Sequence, residues 1–144
     1  MVAEMAGWEW RQINFVLSFA QAPIGSDFIL VLPAGFHVDG ENGNGKYFHT
    51  LKKNLYETPQ ATANWFDMLK TGIEDKGLKL NKVDPCLFVR NNCIVIFYGD
   101  DFCILSKYKE KIEVLLKFLS NTFNLTNEKV FDSYVGINAS KYVN

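Results

Sequence analysis

The sequence has little of what several functional classes require. Its three cysteines, Cys86, Cys93 and Cys103, show no C-x-x-C spacing and make an odd total, so neither a disulfide framework nor a zinc site is indicated. Each sits in an apolar run and reads as a small buried hydrophobe in a reducing compartment. Histidine occurs twice, as His37 and His49, both in loop-like sequence, and without a G-x-S-x-G turn no nucleophile has an evident base. A net charge of −1 provides no broad basic face for nucleic acid, only a local patch at Lys52 and Lys53. No long hydrophobic run opens the chain, because Glu4, Glu9, Arg11 and Gln12 break its apolar content. Neither a signal peptide nor a membrane span is expected, and the chain should be cytoplasmic or nuclear, with no membrane partner. Repeats, long linkers and low-complexity tracts are absent, so one domain suffices.

What is present is apolar and aromatic material, 48% and 15% of 144 residues, ample for a packed core. Its centre is the run from Cys93 to Leu105, in which two apolar, β-branched and aromatic segments flank Gly99, Asp100 and Asp101. The pattern predicts a hairpin whose strands are buried on both faces. Neighbouring carboxylates at its tip repel by roughly 4 kcal/mol at about 4 Å and an intermediate dielectric, a strain that a divalent cation would relieve. An acidic turn alone is ordinary turn chemistry; here the carboxylates stand on rigid elements, which suits metal-assisted phosphoryl chemistry.

Around this hairpin the pattern predicts strands over Trp10–Phe19 and Phe28–Leu32, a turn over Ala20–Asp27 and a loop over Val38–Lys46. Trp65, Leu69 and Ile73 recur every four residues in a helix over Gln60–Lys76, closed by Gly77. A strand over Cys86–Arg90 leads through Asn91 and Asn92 into the hairpin. A second amphipathic helix covers Lys107–Phe123, with Ile112, Leu115, Leu116, Leu119 and Phe123 on one face, and Tyr134–Ala139 forms a last strand. Setting aside the insertion between Phe28 and Lys53 and the strand at Cys86, the order is a split β-α-β-β-α-β. That is an α+β, ferredoxin-like fold: an antiparallel sheet with two helices on one face.

Gly40 to Lys46 matches the G-x-x-x-x-G-K part of a phosphate-binding loop. Tyr47 stands where a Ser or Thr hydroxyl belongs, however, and Pro33, Gly35 and His37 spoil the strand that should feed it, so a nucleotide hydrolase is disfavoured.

A resemblance adds to this. The run from Val83 to Arg90, followed by Cys93 to Asp101, resembles the palm of reverse transcriptases of copia-type LTR retrotransposons, whose hairpin carries a Tyr-x-Asp-Asp box. Gly7 to Gln12 with Phe15 to Pro23 is similar to the stretch holding that family's first catalytic strand. Leu32 to Phe36 resembles its L-P-x-G-F, Leu55, Tyr56, Gln60, Ala61 and Trp65 its L-Y-G-x-K-Q-A-P-R-x-W, and Tyr134 to Ile137 its Y-L-G-I. The pieces keep one order over nearly the whole chain. The resemblance implies a polymerase palm that binds two Mg2+ ions and adds deoxynucleotides to a primer on an RNA or DNA template, the metals activating the primer hydroxyl and steadying the leaving group. It implies that Asp100 and Asp101 are catalytic metal ligands, that Tyr98 lies under the primer end and that Gln60 lies near the incoming nucleotide.

The departures from that family carry their own implication. Asn14 stands at the position of a third carboxylate, and Glu57, Pro59, Thr62 and Ala63 replace Gly, Lys, Pro and Arg. The chain is expected to be a partial domain, residues 1–144, comprising the palm with part of the fingers and no thumb, RNase H or integrase. Nucleotidyl transfer is expected to be impaired or lost, and apolar surface normally covered by missing parts is expected to favour self-association. The competing reading is a non-catalytic module that binds nucleic acid or protein on the same sheet.

Overall fold

The computed structural model describes residues 7–33, 35, 48–128, 133–134 and 137–138. Thirteen elements follow in order: β1 (Glu9–Phe15), α1 (Ser18–Gln21), β2 (Pro23–Val31), β3 (Phe48–Lys53), α2 (Ala61–Asp75), β4 (Lys79–Leu80), β5 (Leu87–Arg90), β6 (Cys93–Tyr98), β7 (Asp101–Ser106), α3 (Lys109–Thr122), β8 (Leu125–Glu128), β9 (Ser133–Tyr134) and β10 (Ile137–Asn138). The described residues thus form a mixed α+β structure with antiparallel sheets and three helices.

The principal sheet has the order β4-β5-β6-β7-β1-β8, antiparallel at every step. Paired residues point to the same side of a sheet. The registers Ile13↔Phe102 and Arg11↔Ile104, Val95↔Ile104 and Phe97↔Phe102, and Phe88↔Val95 therefore collect one apolar face. Both long helices supply the cover. Ala61, Trp65, Leu69 and Ile73 form the buried stripe of α2, and Ile112, Leu115, Leu116 and Leu119 that of α3. Both stripes meet the same strand residues in one cluster.

Phe15 is the hub of that cluster. Its ring meets Trp65 at 5.0 Å, Phe102 at 5.5 Å and Phe123 at 5.6 Å, each edge to face. Such pairs contribute roughly 0.5–1.5 kcal/mol each beyond simple area burial. Sheet and helices are thereby locked together beside the point where β1 ends.

Several sequence expectations need correction. Burial on both faces holds for β7, where Phe102, Cys103 and Ile104 are all buried, but not for β6, where Cys93, Val95 and Phe97 are buried while Ile94 and Ile96 are half-buried and Tyr98 is exposed, because both long helices lie on one side. The first strand stops at Phe15 rather than Phe19, since Leu17 takes a left-handed φ of 51° and the chain enters α1. Pro23 and Gly25 lie in a strand, not a turn; the ladder to β3 shifts register between Pro23 and Phe28, and Pro23 opens the strand, where its missing N–H is tolerated. Tyr134 to Ala139 is not one strand: β9 and β10 pair with each other. The strand that completes the sheet beside β1 is β8, whose sequence Leu125-Thr-Asn-Glu lacks an apolar alternation because it lies on the sheet edge. The expected loop over Val38–Lys46, and with it the G-x-x-x-x-G-K segment, lies outside the described residues.

Candidate active site

The acidic turn is built by geometry that the glycine makes affordable. Tyr98 and Asp101 are the last paired residues of β6 and β7, so Gly99 and Asp100 form a two-residue loop. Gly99 has φ 60° and Asp100 does not share the positive sign, the pattern required by a type II′ turn. Three bonds hold the loop. Trp65 Nε1 donates to the Gly99 carbonyl at 3.3 Å, the Phe15 amide donates to the Asp100 carbonyl at 3.0 Å, and the Ser18 hydroxyl donates to Asp100 Oδ1. The turn is tied to α2, to the end of β1 and to the buried start of α1.

On the sheet face away from the two long helices, one cross-strand row reads Tyr98, Asp101, Asn14, Thr126. Asn14 Nδ2 donates to Asp101 Oδ1 at 3.2 Å, and Thr126 Oγ1 donates to the Asn14 carbonyl oxygen at 3.3 Å. The structure thus brings Asn14, distant in sequence, against Asp101, next to Tyr98 and Asp100 of the same turn. Tyr98 is 64% exposed beside the carboxylates. Gln60 stands apart from the row, at the N-cap of α2, the helix whose Trp65 meets Gly99; its Nε2 is buried without a hydrogen-bond partner.

The chemistry of the donor set limits which divalent ion it suits. Each carboxylate already accepts a hydrogen bond from a neutral donor, Asp100 from Ser18 and Asp101 from Asn14. A third anionic ligand is missing: among the described residues no three His, Cys, Asp or Glu side chains gather. Two carboxylates fit one hard cation of the magnesium type, which keeps water or phosphate oxygens in its remaining positions. They fall short of a pair of ions, because an amide brings an oxygen but no charge.

Two residues of this site were missed as such by sequence reasoning. Ser18 read as the end of the first strand, and nothing local signals that α1 delivers its hydroxyl to Asp100. Trp65 was read as core, which it is at 2% exposure, but its indole N–H also braces the turn. Of the histidines, His49 lies exposed on β3 and His37 lies outside the described residues. On the same face as Asn14, burial pushes the Cys103 thiol up to about 12, which makes it an inert hydrophobe rather than a nucleophile.

Comparison with known proteins bears on this geometry. The family model described as "Reverse transcriptase (RNA-dependent DNA polymerase)" matches residues 1–144. The chain is 25% identical over 122 residues to the Retrovirus-related Pol polyprotein from transposon TNT 1-94 of Nicotiana tabacum. That match covers 81% of this chain and 9% of the relative, so the chain spans a small part of that polyprotein's length. The chain belongs to the reverse transcriptase family of RNA-dependent DNA polymerases.

Proposed function

We propose that this chain is the palm, with part of the fingers, of a copia-type retrotransposon reverse transcriptase, and that its nucleotidyl transfer is impaired. The palm reading is supported by the connectivity. β1 leads through α2 to the β6-β7 hairpin, and β7 leads through α3 to β8 beside β1, which is the split β-α-β-β-α-β order of a ferredoxin-like sheet. Template-primer and deoxynucleotides are the partners that the family implies. Asp100 and Asp101 would hold a Mg2+ ion, which when bound supplies charge neutralisation for the phosphates of an incoming nucleotide. Tyr98, exposed at the rim of the row, would support the primer end. Gln60, with its orphaned amide N–H2, would donate to the nucleotide.

One observation carries the impairment: the amide of Asn14 donates to Asp101 at 3.2 Å where the resembled family has a carboxylate. A catalytic pair of divalent ions lacks the charge to assemble there, at a cost of several kcal/mol of electrostatic stabilisation. Pro59 and Ala63, in place of Lys and Arg, remove two positive charges near the same end of α2. Primer extension on an RNA template, with Mg2+ or Mn2+, run on the native chain and on Asn14→Asp, tests the reading. Extension by the variant alone supports it. Robust extension by the native chain refutes the impairment, and silence from both points to a binding module on the same sheet.

A further inference from the structure

A second feature lies at the opposite end of the sheet, roughly 17 Å along β6 from the acidic turn at about 3.3 Å per residue. There α2 ends, β5 turns into β6 and α3 begins, and together they leave a cavity of about 400 Å3. Leu78, Cys93, Val114 and Leu115 give it apolar walls, and Lys76, Arg90 and Lys111 give it a cationic rim against the single carboxylate of Glu110.

Two of the three cations are held in place. Arg90 Nη1 donates to the Lys76 carbonyl at 2.6 Å, and its guanidinium lies over Gly77, where a Cβ would come within 2.7 Å of Nη1. The φ of 81° is what favours glycine there, since the flexible end of Arg90 could move aside from a Cβ. Lys111 Nζ donates to the Asn91 carbonyl at 2.7 Å, across from Arg90. Lys76 Nζ sits over the Phe118 ring at 4.2 Å. All of these partners are neutral, and among the described residues no carboxylate forms an ion pair with any of the three. Burial raises the pKa of the Cys93 thiol on the wall, and Lys111 and then Arg90 offset this only in part.

Ordered cations without an anion, above apolar walls, are complementary to a specific kind of ligand. A planar guanidinium with free N–H groups accepts a carboxylate or phosphate in two-point fashion, and a lysine opposite adds a point charge. The cavity volume is at the lower end of the range that takes drug-sized molecules. We propose that this cavity is a binding site for a small organic anion: a carboxylate or phosphate-monoester head on a compact apolar body of about a dozen heavy atoms. The site shares no residue with the acidic turn and does not depend on the polymerase reading.

The test uses the chain labelled with 15N and titrated with 2-naphthoate, with its neutral isostere 2-naphthamide and with 2-naphthyl phosphate. Saturable amide shifts confined to Leu78, Asn91, Cys93 and Lys111 are expected for both anions, with a dissociation constant on the order of 100 μM for a partly open site. The naphthoate and phosphate arms decide which head is preferred. The amide should bind at least tenfold more weakly, Arg90→Met and Lys111→Met should each weaken naphthoate about tenfold, and Glu110→Gln should tighten it severalfold. Arg90 also braces the end of α2, so Lys111→Met and Glu110→Gln, which leave that brace intact, keep the test valid if Arg90→Met fails to fold. Equal binding of the amide, shifts centred on the β2–β3 ribbon, or affinity unchanged in Lys111→Met and Glu110→Gln would each overturn the assignment.

Discussion

Asn14→Asp turns the central hydrogen bond of the acidic row into a repulsion, and the size of the effect can be worked from the contact. The new carboxylate would stand where Nδ2 is now 3.2 Å from Asp101 Oδ1. Two unit charges about 4 Å apart cost roughly 4 kcal/mol at an effective dielectric of 20 and about 1 kcal/mol in water. Both residues are half-buried, so the cost lies between these limits. The lost bond to a charged acceptor adds roughly 1.5–3 kcal/mol, and protonation of one carboxylate caps the repulsion. A net destabilisation of about 2–5 kcal/mol in a chelator is expected, which for a domain of this size lowers the midpoint by roughly 6–15 °C. A divalent ion that binds the new three-carboxylate set restores it: occupancy at a hundredfold excess over the dissociation constant returns about 2.7 kcal/mol. Thermal unfolding by circular dichroism, with EDTA and with millimolar Mn2+, reads both halves. The native chain should respond to Mn2+ by less than a third as much as the variant. A variant as stable as the native chain in EDTA, or a native chain equally stabilised by Mn2+, would show that Asn14 is not what sets the charge balance of this row.

Glu57 occupies a left-handed φ of 66° where the resembled segment has glycine. A side chain there costs roughly 1–2 kcal/mol, partly offset by the extra freedom that glycine has when unfolded, so Glu57→Gly should stabilise by about 0.5–1 kcal/mol, read as a higher urea midpoint at unchanged slope. Trp65→Phe keeps the ring packed on Phe15 but deletes the bond to the Gly99 carbonyl, and a loss of about 1 kcal/mol from the bond with a further loss from the smaller ring is expected; urea unfolding measures it, and an unchanged midpoint would mean that the indole N–H does not brace the turn. The Cys103 thiol is pushed by burial to about 12 in the fold, against an ordinary value of 9.0. The unfolded state therefore loses this proton first, so the contribution is fully present below pH 9 and is lost as pH rises from 9 toward 12, at up to about 1.4 kcal/mol per unit. Cys103→Ala should flatten that part of the alkaline stability profile, and a profile of unchanged slope would count against the burial effect.

Much of the fold was legible because its elements obey simple periods. The four-residue recurrence of Trp65, Leu69 and Ile73 marked α2, the stripe from Ile112 to Leu119 marked α3, and the apolar runs around Gly99 marked the hairpin, each within a few residues of its observed bounds. Asn92, at φ 59°, does what a turn asparagine was expected to do. The misses share a cause. β8 has the sequence of a loop and is a strand only because β1 has an unpaired edge to satisfy, and β2 begins at Pro23 because pairing with β3 at Pro23 and again from Phe28 spans the register shift in which Gly25 lies.

The sequence by itself determined the family of this protein and the chemical identity of its acidic turn, because an ordered set of short motifs survives even where single residues have changed. It also specified an amide at Asn14, which cannot carry a carboxylate's charge in any fold. Only the tertiary structure decided what these residues do to one another. Cross-strand register, a long-range property, places Asn14 beside Asp101 rather than merely upstream of it, and α1 brings Ser18 to Asp100 across a separation in sequence that no local rule spans. The cationic cavity is the same kind of fact: Lys76, Arg90 and Lys111 belong to three different elements, and only their packing makes one rim of them.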